Sequence, residues 1–81
     1  MTKIEQAKNH MRSLDKRIAD SQQTINSFMS QLRNSVENGA QDVVTFGSSY
    51  IEKINREMDK IRVLTEQKEL LEYFVINEDM Q

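Results

Sequence analysis

The sequence predicts an all-α fold: an antiparallel two-helix hairpin of coiled-coil type, assembling with other copies into a helical bundle. Three observations carry that prediction. The 81 residues contain no Pro, no Cys and only two Gly, so the residues that punctuate β-rich and disulfide-stapled folds are missing. Two stretches carry apolar residues at alternating steps of three and four, the signature of a helical seam. Between them stands Asn38-Gly39, a pair suited to closing a helix.

The first stretch runs Ile4, Ala7, Met11, Leu14, Ile18, Ser21, Ile25, Phe28, Leu32 and Ser35. With Ile4 at an a position, Met11, Ile18, Ile25 and Leu32 fall at a and the others at d, interrupted only by small Ser. Lys, Gln, Asn, Arg and Asp occupy the positions between, as on a solvated face. The spacing predicts a helix over about residues 2–37, a turn over about 38–41, and a second helix over about 42–78, followed by a short acidic tail. All of it belongs to a single domain.

The second stretch reads Val44, Gly47, Ile51, Ile54, Met58 and Ile61, then more loosely Thr65, Lys68 and Val75. Its start is ambiguous. Val43, Val44, Thr45 and Phe46 are β-branched or aromatic, and Ser49 with Glu52 resembles a capping box, so the helix begins anywhere from Gln41 to Ser49. In a hairpin turning at Gly39, facing residues have numbers that add to about 79. This sets Ile18 against Ile61, Ile25 against Ile54, Phe28 against Ile51, Ser21 against Met58, Leu14 against Thr65 and Met11 against Lys68.

Charge agrees with an antiparallel pairing. Residues 1–35 carry six basic and three acidic side chains, and residues 36–81 carry five basic and ten acidic. The pairing sets Lys3, Lys8, Arg12, Lys16 and Arg17 beside Glu66, Glu69, Glu72, Glu78 and Asp79. Exposed pairs contribute only ~0–1 kcal/mol each, so charge selects orientation more than it stabilises.

Composition narrows function. The net charge is −2, which disfavours non-specific attraction to phosphate backbones. Lys8, Arg12 and Lys16 form a basic stripe, but Glu5, Asp15 and Asp20 flank it and no aromatic residue interleaves it. A nucleic-acid-associated regulator is therefore the weakest of three functional readings. The opening residues lack an uncharged leader core, and no apolar run approaches the ~20 residues needed to span a bilayer, so a cytoplasmic protein without a membrane partner is expected. Size, polarity and absence of Cys suit a small bacterial or phage protein.

Catalytic chemistry lacks its parts. His10 is the single histidine, and Ser13 and Asp15 on the same helix cannot converge on it as a nucleophile and base must. Glu66, Glu69 and Glu72 share a helix side but have ion-pairing work to do. No cofactor, metal site or enzymatic activity is expected.

Protein contact remains. A single two-helix seam covers few side chains fully, and small chains without disulfides or metal commonly gain stability by association. Six of the seven residues from 70 to 76 are apolar, more than one seam can hide. Leu70, Leu71, Tyr73, Phe74 and Ile76, with Met1 beside them, form the first candidate interface. Met29, Val43, Phe46 and Tyr50, near the turn, form the second. Self-association as a homodimer or higher oligomer is the leading expectation. A dedicated binder, inhibitor or chaperone-like accessory factor of a larger protein, using the C-terminal cluster, is the alternative.

Overall fold

A computed structural model describes residues 2–80, with the side chains of residues 40–46 outside the described set. Two helices make up the chain, α1 (Lys3–Asn38) and α2 (Ala40–Asp79). They pack against each other along their length as an all-α hairpin.

Local chemistry sets the ends. Thr2 caps α1 in an extended conformation, its Oγ1 accepting from the Glu5 backbone N–H at 3.1 Å. This satisfies one of the donors that a helix N-terminus leaves without an intrahelical partner. At the other end the Gly39 N–H donates to the Ser35 carbonyl at 3.2 Å. The connection between helices is shorter than the four-residue turn expected at 38–41, because Gly39 alone links them. Its φ of 131° and ψ of 162° lie in an extended region of positive φ that is essentially confined to glycine, not in the left-handed helical region of the usual glycine cap. A single residue reverses the chain there only by adopting backbone angles that a Cβ would oppose. The helix therefore restarts at Ala40, and Ser49 and Glu52 lie inside α2, exposed, rather than at its N-terminus.

The molecule is a rod of 61 × 15 × 14 Å with a radius of gyration of 18.2 Å, against ~12 Å for a compact chain of this length. Its core is correspondingly thin. Among the described residues the buried apolar side chains are Ala7, Leu14, Ile54 and Leu64. Leu14, at 1% exposure, is the one large side chain enclosed completely.

Burial along α1 follows the heptad, with Ile4, Ala7, Met11, Leu14, Ile18, Ser21, Ile25, Phe28, Leu32 and Ser35 all buried or half-buried. Along α2 the expected stripe holds at Gly47, Ile54, Ile61, Thr65, Lys68 and Val75, which are buried or half-buried, whereas the side chain of Val44 lies outside the described set. The alternate positions are Tyr50, Glu57, Leu64 and Leu71, each shifted from the expected seam, while Ile51 and Met58 are 51% and 55% exposed. Packing explains the choice. Both registers place one glutamate inward, but the observed one encloses Leu64 and Leu71 where the other would enclose Thr65 and Glu72. The inward positions of α2 set Tyr50, Glu57, Leu64 and Leu71 at the levels of Phe28, Ser21, Leu14 and Ala7, with Ser21 close enough to Glu57 to hydrogen-bond it and Leu71 beside Ala7.

Two polar layers interrupt the seam. Glu57, its side chain 14% exposed, lies opposite Ser21 and accepts from Lys60 Nζ at 3.1 Å. The Lys60 hydrogen bond holds the Glu57 carboxyl below its ordinary pKa; partial burial opposes this and the nearby Ser21 hydroxyl assists it. Lys68, opposite Met11, reaches Asp15 Oδ1 at 2.7 Å and Glu72 Oε1 at 3.8 Å. Its pKa is raised, chiefly by the hydrogen bond to Asp15 and secondarily by that carboxylate's charge.

The charge pairing differs from the expected one in sense. Among the described residues, the ion pair that crosses the interface joins a base on α2 to an acid on α1. Among the described residues, Lys3, Lys8, Arg12, Lys16 and Arg17 form no ion pair with α2. The seam itself brings Lys68 within reach of Asp15, whereas the outward-facing charges project into solvent, where pairing brings little.

Candidate functional site

The side of α2 turned away from α1 carries the candidate site. Leu70, Tyr73 and Ile76 are 72%, 70% and 58% exposed. Val63 precedes Leu70 by seven residues and Met80 follows Tyr73 by seven, and both are exposed as well. Positions 63, 66, 70, 73, 77 and 80 thus repeat the three-four spacing of a seam, with Glu66 and Asn77 as the polar members. The stripe lies roughly opposite the α1-facing seam and extends about 26 Å along the helix at 1.5 Å per residue. Asn77 is anchored within it, its Nδ2 donating to the Tyr73 carbonyl at 2.8 Å.

The outward face of α1 has a different character: Asn9, Ser13, Lys16, Asp20, Gln23 and Ser27 are exposed there. α1 thus shows water a polar surface along its length, whereas the C-terminal half of α2, beyond the exposed Ser49, Glu52, Arg56 and Asp59, shows it an apolar stripe.

The expected C-terminal cluster divides in two. Leu70, Tyr73 and Ile76 belong to the exposed stripe. Leu71 is half-buried in the hairpin seam at the level of Ala7, and Phe74 is half-buried at its edge. The two line a shallow groove with Lys3, Gln6, Ala7 and His10, so both already have apolar neighbours within their own hairpin. Met1 lies outside the described residues. Sequence reasoning overlooked Val63 and Met80, although their seven-residue spacing from Leu70 and Tyr73 was the available signal.

Near the turn, Met29 is exposed, but Tyr50 is half-buried in the seam opposite Phe28. The side chains of Val43 and Phe46 lie outside the described set. Val36, Ile51 and Met58 are exposed, and the register places them with Met29 along one flank of the hairpin, a smaller apolar strip contributed by both helices. Along the opposite flank Lys53 Nζ stands 5.5 Å from the centroid of the Phe28 ring, covering that aromatic face by a cation–π contact.

A polar groove midway along the rod is lined by Arg17, Asp20, Ser21, Arg56, Asp59 and Lys60 around Val63 and Leu64. Charges of both signs alternate across it, Lys60 is engaged by Glu57, and Arg62 Nη2 lies 3.9 Å from Asp59 Oδ1. Lys8, Arg12 and Lys16 are exposed on α1, with Arg12 Nη1 donating to Asn9 Oδ1 at 2.9 Å. His10 is exposed. Among the described residues no three His, Asp or Glu side chains are grouped to hold a metal ion, and no helix is long and apolar enough to cross a membrane.

Comparison of the chain with protein-family models, with curated proteins and with solved structures finds no match.

Proposed function

We propose that this chain is a non-enzymatic protein–protein interaction module that self-associates through the exposed apolar stripe of α2. The supporting observation is the exposure of Leu70, Tyr73 and Ile76 in helical spacing, on the partner of a helix whose own outward face is polar. Apolar patches of several hundred Å² on a small chain commonly mark contact sites.

The surface of the whole hairpin points the same way. Its accessible area is 6271 Å², whereas a compact monomer of 9.5 kDa exposes ~5000 Å². Relative to an unfolded chain it covers little more than about half of its surface, less than the ~60% of a compact 60-residue domain. A second copy against α2 reduces that excess.

Light scattering at tens of micromolar tests the proposal. The wild type is expected to have a multiple of the 9.5 kDa chain mass. Leu70→Glu combined with Tyr73→Glu is expected to give a monomer of unchanged helicity, because both side chains project from the hairpin rather than into it. A wild type that is monomeric and fully helical at that concentration overturns self-association.

A further inference from the structure

Resting on that reading, we infer that the stripe is occupied by a second copy of this chain in antiparallel orientation, the two α2 helices crossing a two-fold axis between Leu71 and Glu72. The inference specifies which residues meet, and it follows from the order of side chains along α2.

An isologous contact uses the same patch twice, so its two halves must complement each other. Antiparallel pairing about that axis sets Leu70 against the second copy's Tyr73, Val63 against its Met80, and Glu66 against its Asn77. Large apolar residues then meet at two levels on each side of the axis, and the polar members of the stripe meet each other as carboxylate and amide. Parallel pairing instead sets Glu66 against Glu66, with Glu78 and Asp79 also near their own copies, which opposes association.

The ends of the stripe are complementary as well. Arg62 precedes it, and Glu78 and Asp79 border its far end. Antiparallel pairing brings the Arg62 of one copy to the acidic end of the other. In the hairpin alone the Arg62 pairing among the described residues is a long, solvent-exposed one with Asp59 at 3.9 Å, which leaves its guanidinium accessible to a second copy.

The contact is also large enough to matter. Val63, Leu70, Tyr73 and Met80, with Ile76 at the edge of the stripe, expose on the order of 600 Å², near the ~800 Å² that each partner contributes to a standard interface. Because the stripe lies opposite the α1-facing seam, the dimer is a layer of four helices with the two α2 helices at its centre and the polar faces of α1 outside. Overlap is confined to the free ends. The assembly is therefore about 95 Å long at 1.5 Å per residue of overlap, against 61 Å for one hairpin.

The absence of cysteine from the sequence permits a direct test. Glu66→Cys and Asn77→Cys each replace an exposed polar side chain and leave the apolar members intact. When the two single variants are mixed and oxidised, the antiparallel dimer predicts a disulfide between position 66 of one chain and position 77 of the other. It predicts no disulfide from either variant alone, since like positions lie about 16 Å apart along the axis, beyond the ~7 Å Cα separation a disulfide spans. X-ray scattering of the cysteine-free wild type provides the second measurement, with a maximum dimension near 95 Å expected. Disulfides within each single variant, or a dimer no longer than about 65 Å, overturn the antiparallel arrangement while leaving self-association standing. A helical monomer without any disulfide overturns both.

Discussion

Truncating Leu14 to Ala tests the hairpin seam most directly. Leu14 is 1% exposed and is the one large side chain completely enclosed among the described residues, at the level where Leu64 of α2 turns inward. Leu→Ala in a packed interior costs ~2–5 kcal/mol, the transfer term plus the residual cavity. A two-helix seam opens to water on both flanks and can collapse or hydrate around the gap, so the lower half of that range, about 2–3 kcal/mol, applies here. For a domain of this size 1 kcal/mol moves the midpoint by ~4–8 °C, which places the expected fall in Tm at about 10–20 °C. The control is Ile51→Ala. Ile51 removes a comparable aliphatic group, but from a position 51% exposed, where the expected loss is below ~1 kcal/mol. Thermal melts followed by circular dichroism, at one protein concentration because association couples to stability, read both variants. Equal losses, or a greater loss from Ile51→Ala, refute the observed register of α2 and restore the one that places Ile51 against Phe28.

Three further outcomes are expected. Folding lowers the Glu57 pKa below its ordinary value of 4.5, so its ionised form stabilises the hairpin at neutral pH, and that contribution fades as pH falls through 4.5 toward the lower folded value; Glu57→Gln should flatten this part of the acid-side loss of Tm, and an identical pH profile would contradict the role given to the Lys60 pairing. Gly39→Ala should cost ~1–3 kcal/mol through the backbone angles alone, since nothing lies within 4 Å of the added Cβ; urea titration reads it, and an unchanged midpoint would show that the connection does not require positive φ. Folding raises the Lys68 pKa, so the stability its charge contributes is fully present below 10.5 and fades as pH rises through the folded value; in Asp15→Asn that alkaline loss should be smaller, as Tm measured between neutral and strongly alkaline pH would reveal.

Much of this architecture was legible in the sequence. The α1 seam from Ile4 to Ser35 could be read because its apolar residues allow only one three-four stripe, and because polar residues fill the positions between. Asn38-Gly39 marked the reversal because glycine most readily closes a helix end, although the extended positive-φ angles and the one-residue length of the connection came only from the structure. The α2 seam was harder to read. Apolar residues surround that helix, so Ile51 and Met58 compete with Tyr50, Leu64 and Leu71 for the inward positions, and a sequence periodicity supports either set. Contact with α1 decides between them, since the observed register turns Leu64 and Leu71 inward where the other would place Thr65 and Glu72, each register holding one glutamate inward.

The same ambiguity governed the candidate interface. Sequence alone marked residues 70–76 as more apolar than one seam can cover. It could not divide Leu71, which the hairpin half-buries beside Ala7, from Leu70, Tyr73 and Ile76, which it leaves exposed. Adjacent residues on a helix point about 100° apart, so membership in a core or a free surface depends on where the partner helix lies. Composition and heptad spacing determined that the chain is a helical hairpin; the rotation of α2 against α1, a tertiary property, decided which of its apolar side chains remain available to another molecule.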